Sequence, residues 1–501
     1  MIFLSRFLVE HIPFSAQMRL TKQEDSPRIL AMRTKIIATI GPASNSPEVL
    51  ERLIQTGVRI FRLNFSHGDA SAFRDLIALL RKLEHEHRVP LTLLQDLSGP
   101  KIRIGELRQG SITLGKGDRV VLGPCGAEMV RDLPFIPFDN LPVLESLETG
   151  DTVVLSDGVL QFMITEQLPL GAFEMECLND GILTSRKGLA LPGKPVNLPA
   201  MTEKDKRDLR DGLALGVDAC ALSYVQTPED ILTAKAIIKE HGKNIPVVAK
   251  LERQNAVDRL EEILEVTDVV MVARGDLGVE CPLPKLPAMQ KRIIHACNKA
   301  AKPVIVATQM LLSMVNNPVP TRAETTDVAN AVLDGADCVM LSEETAMGSF
   351  PVETVKFMVE IAQQAENLRF EESRVLPPDE TKGTPDFLAY SACLLAEKTN
   401  ADAIVSHSMS GASARLLSAR KPRQIIYGLT PDSEALRALN FSWGVMPEGV
   451  NEALSGHLER AEHFIETHTA FPSGTNAVIT AGQPKPGTKA RGTNLVKIYH
   501  K

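Results

Sequence analysis

The chain has no long hydrophobic run, no C-x-x-C pair, no cluster of His and Cys at zinc spacing and no G-x-x-x-x-G-K-[ST] loop. Each absence narrows what the protein can be. Without about 20 consecutive apolar residues, no segment suits a membrane-spanning helix. The seven cysteines are odd in number and show no paired spacing, so buried reduced thiols, as at Cys297 and Cys338, and a reducing compartment such as the cytoplasm are expected. Zinc is not expected. Without a phosphate-cradling glycine loop, any nucleotide phosphates have to be held by side chains and metal. The formal net charge of −7 argues against nucleic acid or an anionic membrane surface as a partner. There is one tryptophan, Trp443, which reads as packing.

What is present is an alternation of short apolar runs and amphipathic stretches. The length of 501 residues suits about three domains. Residues 1–32 read as an N-terminal extension, either genuine or the product of an upstream start codon. From Lys35 the runs Lys35–Ile40, Arg59–Phe65 and Leu91–Gln95 predict strands, each trailed by a helical pattern except the last. The alternation resumes at Thr202, with strands at 219–225, 247–252, 269–273, 304–308 and 338–342. Eight parallel strands each followed by a helix predict a (β/α)8 TIM barrel. The barrel occupies residues 33–98 and 199–370. Residues 99–198 carry short strands and turn signals and predict an inserted all-β lid domain. It leaves from the C-terminal end of a barrel strand, the end where such barrels hold their chemistry. A linker at 371–385 leads to residues 386–501, whose pattern predicts a C-terminal three-layer α/β domain.

Polar residues gather at the ends of these strands. The run Pro246–Glu252 ends in Lys250 and Glu252, and the run Val269–Asp276 ends in Arg274, Gly275 and Asp276. Alternation along a strand points Lys250 and Glu252 the same way, and Arg274 and Asp276 likewise. Arg62, Asn64 and Ser66 share a face of the second strand, the third ends in Asp96, and the seventh in Thr308. Charge is costly in such runs unless a ligand needs it. Glu252 and Asp276 are hard oxygen donors suited to Mg2+ or Mn2+. Lys250 and Arg62 supply fixed positive charge for a phosphoryl group in transit. Gly275 lets backbone amides approach a ligand carboxylate, and Thr308 offers a hydroxyl to bond it or relay a proton. By residue type alone, two other readings stand: a Mg2+-dependent aldolase or lyase acting on a pyruvate enolate, and a catalytically silent nucleotide or effector sensor. A lid and Lys250 are superfluous to the first. The second predicts loss of Lys250, Glu252 or Asp276.

The segments Thr34–Ser44, Arg62–Gly68, Ala249–Glu252, Ala273–Gly278, Ala307–Leu311 and Pro320–Ala331 resemble pyruvate kinase, in order and across the chain from about Arg33. The resemblance implies phosphoryl transfer from phosphoenolpyruvate to ADP, giving ATP and pyruvate. It implies that Glu252 and Asp276 ligate the divalent metal and that Lys250, with Arg62, stabilises the moving phosphoryl group. Gly275, Asp276 and Thr308 would hold the substrate carboxylate, with Thr308 near the enolate carbon. His67, Arg103 and the lid's Lys187 would contact the nucleotide. A cytoplasmic homotetramer is also implied.

The resemblance has an informative departure. Members that need K+ hold it with residues matching Asn64, Ser66, Asp96 and the carbonyl of the next residue, here Leu97. This chain reads Asp96-Leu97-Ser98-Gly99-Pro100-Lys101, with a lysine where those members carry glutamate. A tethered ammonium at Lys101 can replace K+, so activity without K+ is expected. In the C-terminal domain, Ser408, Ser410 and Ser413 lie between a strand and a helix, where the family's regulated members bind a phosphorylated effector.

Overall fold

The computed structural model describes residues 32–66, 68–100, 102–156, 158–194, 199–372, 375–450, 454, 456–482 and 493–501. The N-terminal extension up to residue 31, His67 and Lys101 lie outside the described residues. Eight apolar runs form the strands β1 (Lys35–Thr39), β2 (Ile60–Asn64), β3 (Thr92–Asp96), β4 (Ala219–Leu222), β5 (Val247–Leu251), β6 (Val269–Ala273), β7 (Val304–Ala307) and β8 (Cys338–Leu341). They pair in parallel in chain order, and β1 also pairs with β8, which closes the barrel.

Side chains alternate along each strand, so every run splits into two sets. Ile37, Ile60, Leu94, Ala221, Val248, Met271, Ile305 and Met340 pack together inside the barrel. Their chain neighbours, among them Ile36, Phe61, Leu93, Cys220, Ala249 and Val270, pack with the surrounding helices. The inward series turns polar toward the C-terminal ends. Two residues past Ile37 comes Thr39, past Ile60 Arg62, past Leu94 Asp96, past Ala221 Ser223 and past Val248 Lys250. The period that fills the interior with hydrocarbon thus lays a polar layer over its mouth.

Between β3 and the helix Glu203–Leu215 the chain builds a six-stranded sheet and a two-stranded one, with a core of its own that includes Val120, Phe138, Phe162 and Phe173. It departs through Gly99, which has φ +65°; a Cβ there would stand 2.9 Å from both Ser223 and Tyr224 side chains. Only glycine combines that backbone with that approach.

The C-terminal domain is a five-stranded sheet with spatial order Val445–Gly449, Ile425–Thr430, Ala403–His407, Asn476–Ala481, Leu495–His500, the last strand antiparallel. Helices Thr384–Lys398 and Ala412–Ala419 cover one face and His457–Thr467 the other, the three layers expected. The strand Val445–Gly449 and the helix His457–Thr467 had no counterpart in the sequence reading. All seven cysteines are free, and Cys297, Cys338 and Trp443 are buried.

This domain closes the barrel floor. Phe441 packs into the interior cluster against residues of the barrel strands. Around it Asn440 donates to the Pro90 carbonyl (2.9 Å), Lys35 Nζ to the Val445 carbonyl (2.6 Å), and Trp443 N–H to Asp337 (3.1 Å). Lys421 and Asp337, with side chains 1% and 4% exposed, form an ion pair of 2.7 Å.

Candidate active site

The polar layer is a connected network centred on Lys250. Its ammonium stands 2.9 Å from Glu252 and 3.2 Å from Asp96, and donates to Ser223 Oγ at 2.6 Å. Ser223 donates onward to the Leu97 carbonyl (2.7 Å). Arg62 Nε reaches the second oxygen of Asp96 at 2.6 Å, while its NH1 reaches Thr39 Oγ1 at 3.1 Å. Glu252 accepts the Tyr224 N–H at 2.6 Å. Burial would push Asp96 up, but the charges of Lys250 and then Arg62 outweigh it and hold the carboxyl below the usual range. Burial pulls Lys250 down, and Asp96 and Glu252 outweigh it, so the ammonium is held above the usual lysine range. Glu252 is raised: burial pushes it up, Lys250 opposes, and the Asp276 charge pushes it further.

That last effect bears on a metal. Two hard carboxylates near enough to repel, with one of them wholly buried, form a donor set that a divalent cation relieves. Among the described residues no group of three or more His, Cys, Asp or Glu converges on one point. A cation held by Glu252 and Asp276 would therefore complete its shell with water and substrate oxygens, as Mg2+ commonly does. The residues fit.

Arg274 and Asp276 depart from the alternation expected of them. The strand β6 stops at Ala273, and residues 274–280 form a short helix. Arg274 turns away to bind Asp327 (2.7 Å) and the carbonyls of Ala307 (3.3 Å) and Thr308 (2.8 Å). Those bonds hold an unusual backbone, for Thr308 and Gln309 have φ of 71° and 52°. A β-branched residue in the left-handed region is strained, and such strain concentrates at functional sites. The Thr308 hydroxyl accepts the Gly275 N–H at 2.8 Å and donates to the Ala307 carbonyl at 2.6 Å. A Cβ at 275 would meet Thr308 at 3.6 Å, so glycine keeps the space beside that hydroxyl open.

Asp276 lines a cavity of about 160 Å³ between the barrel mouth and the inserted domain. Arg103 and Lys187 of the insertion line it too, with Tyr224, Arg253 and Glu280 from the barrel side. Glu280 is pushed up to about 7 by burial, with Arg253 opposing and Asp276 and Glu252 adding to the rise. A second, wider cleft of about 1080 Å³ adjoins Gly275, Gln309 and the insertion's Thr152 and Gln161.

At the candidate cation pocket, Asn64 Oδ1 accepts the Ser66 N–H (3.1 Å) in the turn after β2, and the partners of Asp96 and Leu97 are those given above. The effector serines run from the end of the strand Ala403–His407 into the first turn of the helix Ala412–Ala419. Ser413 is buried and bonded to Thr493, Ser410 gives its carbonyl to Arg415 (2.9 Å), and Ser408 N–H bonds the Leu429 carbonyl (3.1 Å). Ser223, Tyr224, Arg253 and Glu280 were missed from sequence. Ser223 was findable, since it continues the inward series of β4 by the period of two.

A closed parallel barrel with ionised side chains at its C-terminal mouth, under an inserted β domain, defines a barrel enzyme whose chemistry sits at that rim. Family profiles described as "Pyruvate kinase, barrel domain" and "Pyruvate kinase, alpha/beta domain" match residues 31–355 and 386–499. Pyruvate kinase 2 of Synechocystis sp. is 42% identical over 475 residues, 94% of this chain and 79% of the relative. The pyruvate kinase of Agrobacterium vitis is 42% identical over 459 residues (90% and 94%), and that of Clostridium perfringens 38% over 473 residues (93% and 99%). The chain belongs to the pyruvate kinase family and is a phosphotransferase.

Proposed function

We propose that the enzyme transfers the phosphoryl group of phosphoenolpyruvate to ADP, giving ATP and pyruvate, the last step of glycolysis, in the cytoplasm. The observation that carries this reading is the Lys250 ammonium fixed between Asp96 and Glu252 under an insertion bearing Arg103 and Lys187. Lys250 and Arg62 stabilise the charge on the phosphoryl group as it leaves the enol oxygen and meets the nucleotide. Both are already oriented by Asp96, so little reorganisation is needed at the moment of transfer. The Gly275 N–H and the Thr308 hydroxyl, now satisfied by each other, turn to the substrate carboxylate. Thr308 then stands where the enolate carbon takes up its proton. A divalent cation held by Glu252 and Asp276, Mg2+ or Mn2+, supplies Lewis acidity toward the substrate's oxygens. Arg103 and Lys187 bring positive charge to the nucleotide as the insertion, residues 99–198, closes as a lid. His67 completes the nucleotide contacts. The remaining division is an extension at 1–32, the barrel at 33–98 and 199–370, a linker at 371–385 and a regulatory domain at 386–501, assembled as a homotetramer. A phosphorylated effector is read at the loop carrying Ser408, Ser410 and Ser413.

Turnover is independent of K+. In support, the acceptors that would face the ion already have partners: Asp96 carries Arg62 and Lys250, and Leu97 carries Ser223. Pyruvate release from phosphoenolpyruvate, ADP and Mg2+ should proceed without K+. Many-fold stimulation by KCl at constant ionic strength would contradict that. Lys250→Met should lower kcat by about 10²–10³ or more, the usual worth of one preorganised charge. Near-normal turnover in this variant would refute the role given to Lys250.

A further inference from the structure

Arg253 follows Glu252 two residues past the end of β5, with an extended backbone (φ −133°, ψ 152°), just before the next helical turn. It is 6% exposed, and its Nε is buried without a hydrogen-bond partner. Among the described residues it makes no ion pair; its guanidinium lies 5.3 Å from the centre of the Tyr224 ring. Glu280 feels its charge, yet no carboxylate among the described residues stands within ion-pair distance, and a buried N–H left without a partner is unfavourable. Such a group is tolerated where a ligand brings the anion.

The surroundings say which ligand. Arg253 lines the cavity under the insertion, together with Arg103, Lys187, Asp276 and Glu280. Three cations from three chain segments thus border one small space. The two carboxylates on the same wall suit an anion that arrives with a divalent cation. The phosphate and carboxylate of phosphoenolpyruvate have their own partners inside the barrel, at Lys250, Arg62, Gly275 and Thr308. A guanidinium held over the Tyr224 ring can offer two N–H groups at once to phosphate oxygens lying in its plane.

We propose that Arg253 is a substrate-binding residue for the phosphoryl acceptor, holding the terminal phosphate of a nucleoside diphosphate opposite Arg103 and Lys187. This rests on the reading of the site given above. Its selectivity is for ADP over AMP, because only the diphosphate reaches the cavity's third cation.

The test compares ADP and AMP binding, each with Mg2+ and without phosphoenolpyruvate, by calorimetry on the full chain and its Arg253→Gln and Arg253→Lys variants. Arg253→Gln should weaken ADP about tenfold or more, the worth of a charge-assisted hydrogen bond, and leave AMP within about twofold. Arg253→Lys should recover only part, since an ammonium cannot bind two oxygens in one plane. In turnover, KM for ADP should rise while KM for phosphoenolpyruvate stays. The ADP-to-AMP ratio is read within one preparation, so a partly unfolded variant cannot imitate its change. An unchanged ratio, or a rise confined to phosphoenolpyruvate, overturns the proposal and leaves Arg253 as a packing residue. A wild-type chain that neither binds ADP nor releases pyruvate overturns the whole reading of the site.

Discussion

Lys250 and Glu252 could be placed from sequence because a strand's alternation needs only local geometry, and β5 runs straight to its end. Arg274 could not be placed, because the same rule fails one residue past a strand where the chain turns helical. Thr308 was legible by type, but its left-handed backbone was not, since the bonds from Arg274 that hold it come from a neighbouring strand end. A residue outside the mouth gives a pH prediction. His407 is fully buried at the end of a C-terminal-domain strand, with Nδ1 2.9 Å from His457 Nδ1. Burial first, then His457 and Arg460, push its pKa down to about 4. The unfolded chain, with an ordinary histidine near 6.5, binds more protons than the folded one between those values. Stability is therefore full above about pH 6.5, falls as pH drops toward 4, and is flat below, a change on the order of 3 kcal/mol. Thermal melts of His407→Asn should show a shallower decline of Tm between pH 7 and 4.5 than the parent chain; parallel curves would remove His407 as the cause.

At the scale of elements, each expected barrel strand appears within a few residues of its expected limits. Long apolar β-branched runs between helical patterns leave few alternatives for a chain of this length. The strand Val445–Gly449 escaped because Pro447 and Gly449 are poor strand residues. It is an edge strand, so the missing N–H of Pro447 leaves no central ladder bond unmade. The helix His457–Thr467 does carry a signal, for Leu458, Ala461, Phe464 and Ile465 fall on one face and pack on the sheet. The insertion read as β from its turn signals, but its neighbours in the sheet could not be read. The strands Phe173–Cys177 and Arg119–Gly123 pair across some fifty residues of chain.

At the scale of the molecule, the barrel interior is completed by a residue from another domain. Phe441 stands in the hydrocarbon cluster of the floor, while Lys421 and Asp337 pair in the same junction. Phe441→Ala would leave a cavity there and should cost about 3–5 kcal/mol. Urea unfolding followed by tryptophan fluorescence at Trp443, which sits in this junction, reports it directly. Pyruvate formation per folded enzyme should be retained, because the mouth lies at the opposite end of the strands. A loss below about 1 kcal/mol would mean the floor does not depend on this ring. No described helix is long and apolar enough to cross a membrane.

The sequence by itself determined the barrel strands and the inward-facing charges of their ends, because periodicity and the cost of buried charge are local properties of a run. It determined the two domains added to the barrel, because their patterns differ in kind from strand-helix alternation. Tertiary structure alone decided that Ser223 links Lys250 to Leu97, that Arg274 props Thr308, that Arg253 lines one cavity with Arg103 and Lys187, and that Phe441 plugs the floor. Each of those arrangements joins residues far apart in the chain, and only the closing of the barrel and the docking of its neighbours bring them together.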